Sequence, residues 1–209
     1  MSFSPADLFI KGGAFMWPLL LLSLVALTLI IERMLYFARR RYSLQNTLED
    51  LKKKPHMAQP NNPLIQLGQT IIREASGGIE HVKNVATREA SQLINSHERG
   101  VRLLGLIGMI APLIGLLGTV WGMVLAFAKM ADLGDKVTAG DFANGIWTAL
   151  LTTVGGLIVA IPAVAAARIF EGKVDLLAQD LNATASHLHE WIFGPAVAST
   201  PQETILQEP

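Results

Sequence analysis

Between Leu103 and Ala128 the chain carries no charged residue, and between Phe142 and Ala167 it again carries none. A further apolar run over residues 15–38 is interrupted only near its end, by Glu32-Arg33. A bilayer hydrocarbon core about 30 Å thick takes roughly 20 apolar residues in a helix, so each run is long enough to cross. Lipid offers no hydrogen-bond partners, and a lone span must satisfy its backbone internally as a helix. The predicted fold is therefore all-α, a polytopic membrane protein with three transmembrane helices. Composition agrees, with 51% hydrophobic and 16% charged residues, against roughly 25% charged in soluble domains.

The first run does not read as a cleaved leader. Lys11 is a lone positive charge before it, and Phe15 to Ile31 is too long for a signal-peptide core. Glu32, Arg33 and Arg39-Arg40-Arg41 follow as a stop-transfer flank. Orientation comes from Lys and Arg, which stay on the cytoplasmic side. Eleven of the seventeen lie between Arg39 and Arg102, whereas the connection between the later spans is short and acidic, with Asp132, Asp135 and Asp141. The expected layout is a periplasmic segment 1–14, a span 15–38 and a cytoplasmic helical region 39–101. A span 102–130, a periplasmic loop 131–141, a span 142–168, a cytoplasmic helix 169–193 and a disordered tail 194–209 complete it.

The soluble parts read as helix. Leu44, Leu48 and Leu51 form a stripe after Ser43, a candidate N-cap. Lys52-Lys53-Lys54 with Pro55, Pro60 and Pro63 mark a linker, and Gly77-Gly78 stop the next helix. From Ile79 the pattern Val82, Ala86, Leu93, Val101 continues into the second span as one long helix. Val174, Leu177, Leu181, Ala185, Leu188 and Ile192 make a comparable extension after the third. Two spans are thus expected to project into the cytoplasm.

Small residues recur at intervals of three and four in both later spans. They fall at Gly105, Gly108, Ala111, Gly115, Gly118, Gly122 and Ala126, then at Gly145, Ala149, Thr152, Gly156, Ala160, Ala163 and Ala167. Such stripes let backbones approach closely in lipid. They serve either packing within one subunit or a smooth bearing surface around something else. Thr119, Thr148, Thr152 and Thr153 add hydroxyls that could meet an ion or a partner's carboxylate. A proton or sodium relay needs an ionisable group, and these two spans have none. A second chain must supply it if ions flow. Pro112 and Pro162 are hinge candidates. Glu32 and Arg33 form an interfacial pair, with Arg102 of a neighbouring subunit as an alternative partner for Glu32.

Other chemistries find no support. There is no cysteine, and His56, His81, His97, His187 and His189 lack metal-ligand spacing. No metal, no organic cofactor and no catalytic constellation is expected, so the chain is not read as an enzyme. Formal net charge is zero, which gives no pull toward nucleic acid.

The run from Ala111 to Met123, APLIGLLGTVWGM, resembles the second-span signature of the MotA/TolQ/ExbB family, and GIWTALLTTVGGLIVAIPA from Gly145 to Ala163 resembles the third. Glu32-Arg33 closing the first span is also typical of it. The resemblance implies a pentameric ring in the bacterial inner membrane whose second and third spans line a pore. The pore would hold a single-span subunit like ExbD, TolR or MotB carrying an essential Asp. H+ or Na+ flow would then do mechanical work on a periplasmic or outer-membrane load, as in biopolymer and nutrient transport. Thr119 and Thr153 fall on the family's pore-lining threonines. The sequence departs from ExbB and TolQ at Thr148, where those proteins usually carry Glu, and Thr148, Thr152 and Thr153 are expected to bias ion choice toward sodium. A membrane scaffold that forms a ring without conducting is the alternative. A secondary transporter is disfavoured by three spans without an inverted repeat.

Overall fold

The computed structural model describes residues 12–39, 44–53, 62–133 and 139–194. Ser43, most of the proline-marked linker, Asp135-Lys136 and the tail beyond Gly194 lie outside the described residues. What is described is helical, with no strand: α1 (Met16–Arg39), α2 (Leu44–Lys53), α3 (Pro63–Arg73), a short 3-10 turn (Ala75–Gly77), α4 (Ile79–Leu133) and α5 (Ala139–Phe193). α1, α4 and α5 are long and apolar enough to cross a membrane.

Local chemistry sets the boundaries. Asn62 caps α3, its side-chain oxygen accepting from the Leu64 N–H at 3.0 Å, and Pro63 occupies the first turn, where a missing N–H costs nothing. The chain leaves the 3-10 turn through Gly78 at φ +87°, a left-handed conformation that only glycine adopts freely. α4 then runs for 55 residues without interruption, as does α5. At about 1.5 Å per residue each is roughly 80 Å long. Pro112 and Pro162 lie inside them and do not end them.

The chain divides into two compact units. One comprises residues 1–41 and 95–175, the other 42–94 and 176–209. In the first, large apolar side chains point outward; Met109 is 68% exposed, and Leu113, Val120, Ile158 and Ile161 are similarly bare. That inversion suits a lipid solvent. In the second, Leu51, Leu64, Leu67, Ile71, Leu181 and Leu188 close a conventional core. Burying each such side chain is worth about 1.5 to 3 kcal/mol. Gly68 lets Leu51 press onto α3, because any Cβ there would strike the Leu51 methyls.

Candidate functional site

The expected site residues belong to the first unit, and the structure sorts them into a seam and a cluster. The seam joins α4 to α5 and is made of the small residues. A Cβ on Gly156 would lie 2.6 Å from the Ala111 carbonyl oxygen, and one on Gly115 would lie 2.9 Å from that of Thr152. Gly118 faces the Thr152 side chain, Gly122 faces Ala149, and Gly145 faces Ala126. Ala111 and Ala163 are fully buried. The two stripes thus face each other within one chain. Of the two readings of these glycines, packing is the one observed. Gly115, Gly118, Gly122, Gly145 and Gly156 are not a bearing surface, because their open sides are already filled by the opposite helix.

The four threonines separate. Thr152 is 1% exposed; its hydroxyl donates to the Ala149 carbonyl at 2.7 Å and reaches the Gly115 carbonyl at 3.3 Å. The structure places it in the seam between α4 and α5 rather than on an exposed wall. Thr153, half-buried, donates to the same Gly115 oxygen at 3.1 Å. Thr119 bonds back to the Leu116 carbonyl at 2.6 Å. Thr148, also half-buried, has its methyl about 4.0 Å from where a Cβ on Gly13 would sit, so it faces the chain entering α1. Thr119 and Thr153 have given their protons to carbonyls. What they offer outward is oxygen lone pairs, which suit a cation or a protonated carboxyl group as donor.

The cluster lies where α1 ends. Arg33 donates from Nη1 to the His97 carbonyl at 3.2 Å, and the Tyr36 hydroxyl is hydrogen-bonded to His97 Nε2. Gly100 admits the guanidinium, since a Cβ there would lie 2.5 Å from Arg33 Nε. Glu32, more than half exposed, is only a loose partner for Arg33 at 3.7 Å. Arg102 is paired within its own helix, with Glu98 at 3.1 Å, and also reaches the Asn95 side chain at 3.3 Å. Within this chain Glu32 and Arg102 therefore have separate partners.

Sequence reasoning gave His97 no role, yet it is buried and bonded at both ring nitrogens. The available signal was spacing. Arg33 and Tyr36 are three apart on α1, and His97 and Gly100 are three apart on α4, so each pair shares a face. No group of His, Asp or Glu among the described residues has metal-binding geometry.

Comparison with known proteins completes the picture. The profile of the MotA/TolQ/ExbB proton channel family matches residues 56–183. The chain is 29% identical to the biopolymer transport protein exbB1 of Vibrio cholerae, over 93% of this chain and 91% of that protein. It is 34% identical to an ExbB-like biopolymer transport protein of Synechocystis sp., over 84% of this chain and 73% of that one. Against the Tol-Pal system protein TolQ of Haemophilus influenzae it is 36% identical, over 49% of this chain and 46% of the relative.

Proposed function

The chain belongs to the MotA/TolQ/ExbB proton channel family, and on that premise we propose that it is the ring-forming channel subunit of a motor in a bacterial inner membrane. It is a membrane protein and an energy-transducing subunit of a family of channel-type proteins. In the proposed reading, about five copies surround single-span helices of an ExbD- or TolR-like partner. The partner contributes the carboxylate, and ion flow past it does work on a periplasmic or outer-membrane load. Kinship with proteins named for biopolymer transport favours uptake across the envelope as that work. The N-terminus and the connection between α4 and α5 lie in the periplasm, and the C-terminus in the cytoplasm.

One observation carries the reading. Two charge-free runs, 103–128 and 142–167, present hydroxyl oxygens at Thr119 and Thr153 whose protons are already engaged. Such a wall can solvate a passing proton carrier or ion but cannot bind one tightly, which is what a conduit for another chain's carboxylate requires. Thr148, replacing the usual glutamate, favours sodium as coupling ion. Pro112 and Pro162 leave the Gly108 and Ile158 carbonyls without their usual helical donor, and in this reading α4 and α5 flex there.

The test is native mass spectrometry of the chain purified in mild detergent from its host, followed by flux through the reconstituted complex. A ring carrying one or two copies of a small single-span protein is expected, with flux that rises with sodium at fixed pH gradient. A monomer would overturn the ring, and an assembled ring in which Thr153→Leu leaves biological activity intact would favour the non-conducting scaffold. Flux indifferent to sodium would remove the sodium assignment alone.

A further inference from the structure

His97 has features of a moving part rather than of packing. It is a buried ionisable side chain where α4 meets α1, bonded to Tyr36, 61 residues earlier in the sequence. Several groups on it and around it bear on its charge. From α1 come Arg33, whose guanidinium holds the His97 carbonyl, and Tyr36, whose hydroxyl meets Nε2. From its own helix come Ser96, bonded to Nδ1 at 3.0 Å, and the Glu98–Arg102 pair. From α5, Glu171 and Asp175 share a small cavity with Glu98 and Arg102, and Lys173 lies over the Phe37 ring, 5.7 Å from its centre. Phe37 also stacks on Phe170.

The neutral imidazole satisfies this setting. One nitrogen accepts from Tyr36 while the other meets the Ser96 hydroxyl, which can act as acceptor or donor. Adding a proton changes two things. Both nitrogens become donors, so the Tyr36 proton must find another acceptor. A second positive charge also enters a site that already holds Arg33, whose Nε is buried without a hydrogen-bond partner and whose ion-pair partner Glu32, 3.7 Å away, is more than half exposed. Like charges in a desolvated site repel strongly.

We infer that Arg33, Tyr36 and His97 form a proton-operated clasp that fastens the end of α1 to α4, closed while His97 is neutral and released when it is protonated. The sign follows from which form fits the clasp. Holding rests on the neutral ring, so it is complete at high pH and is lost as pH falls. Acidification at the α1 end of the site, on the cytoplasmic side in the reading above, therefore loosens the first span from the channel pair. The clasp rests on that reading only for the side it faces.

The protein contains no cysteine, so paired labels can be placed without background. Ala38→Cys and Arg99→Cys put spin labels on exposed positions flanking the clasp. Distances are read by pulsed electron resonance on the full-length protein in nanodiscs, with no ion gradient, from about pH 8 to about pH 5.5, a window that brackets histidine titration. A narrow distribution at high pH that broadens on acidification is expected. His97→Gln, which keeps a polar contact for Tyr36 but cannot take the proton, should abolish the response. Tyr36→Phe leaves His97 in place and should broaden the distribution at high pH as well. A wild-type distribution that does not change with pH overturns the clasp without any variant. So does a pH response that survives in His97→Gln, or a Tyr36→Phe protein that stays narrow at high pH. Because no flux is measured, a clasp failure and a channel failure are separately visible.

Discussion

The membrane seam and the second unit's core are built from the same two long helices by opposite means. In the seam, α4 and α5 meet through Gly115, Gly118, Gly122, Gly145 and Gly156, with alanine and threonine between. In the core, they meet α2 and α3 through leucine, isoleucine and valine. The solvent explains the difference. In water, removing large apolar side chains from solvent is itself the driving force. Lipid is as apolar as leucine, so no such force exists, and association depends on backbones coming close enough for dispersion and polar contacts. One helix thus changes its packing alphabet along its length.

The comparison predicts that adding and removing carbon have opposite consequences in the two places. The largest effect belongs to the core. Leu181→Ala, at a position with no exposure, should cost about 2 to 5 kcal/mol, read as lost hydrogen-exchange protection in α2 and α3. If protection there is unchanged, the core is not cooperative. In the seam, growth is what harms. Gly156→Val drives a side chain into the Ala111 carbonyl and should cost about 1 to 3 kcal/mol, visible as a lower melting temperature in detergent. An equal loss from Ala163→Gly would mean that side-chain bulk holds the seam as it holds the core.

Smaller effects sharpen the contrast. Thr153→Val removes one interhelical hydrogen bond and should cost only about 0.6 kcal/mol, while ion flux falls far more steeply. Parallel losses in both would reduce Thr153 to a packing residue. The smallest effect lies on the second unit's surface. The His81 hydrogen bond, then that of Arg73, holds the Glu74 carboxyl below its ordinary range. A carboxylate lowered by folding adds stability above its unfolded titration, and that stability fades as pH falls through the folded value. NMR titration of Glu74 should show a midpoint below the ordinary glutamate range. That midpoint should rise more in His81→Ala than in Arg73→Ala.

Much of this architecture was legible in the residues. The two charge-free runs and the unbroken pattern from Ile79 onward predicted helices longer than a membrane span, and α4 and α5 are that long. The small-residue stripes were legible as surfaces, but not what they face. Periodicity gives a helix face and is silent on its neighbour, so Thr152 looked as available as Thr153 until the opposite helix buried it. Arg102 has its own local acid, Glu98, an ordinary i,i+4 pair that every polar helix offers. His97 was invisible for a related reason. Its partners lie on α1, and a histidine outside metal spacing carries no mark of burial.

The Gly115 carbonyl accepts hydroxyls from both Thr152 and Thr153, while Gly156 nests against Ala111. These contacts act as a key cut to one notch. Sliding α5 by a single residue, about 1.5 Å, would break the shared contact at this oxygen and, in one direction, bring Leu157 to where only glycine fits. The pair is therefore keyed to this register. If the assembly turns, the keyed stretch of α4 and α5 turns as one piece. The slip then takes place on the outer faces, where Leu113, Val120 and Ile158 meet whatever surrounds them.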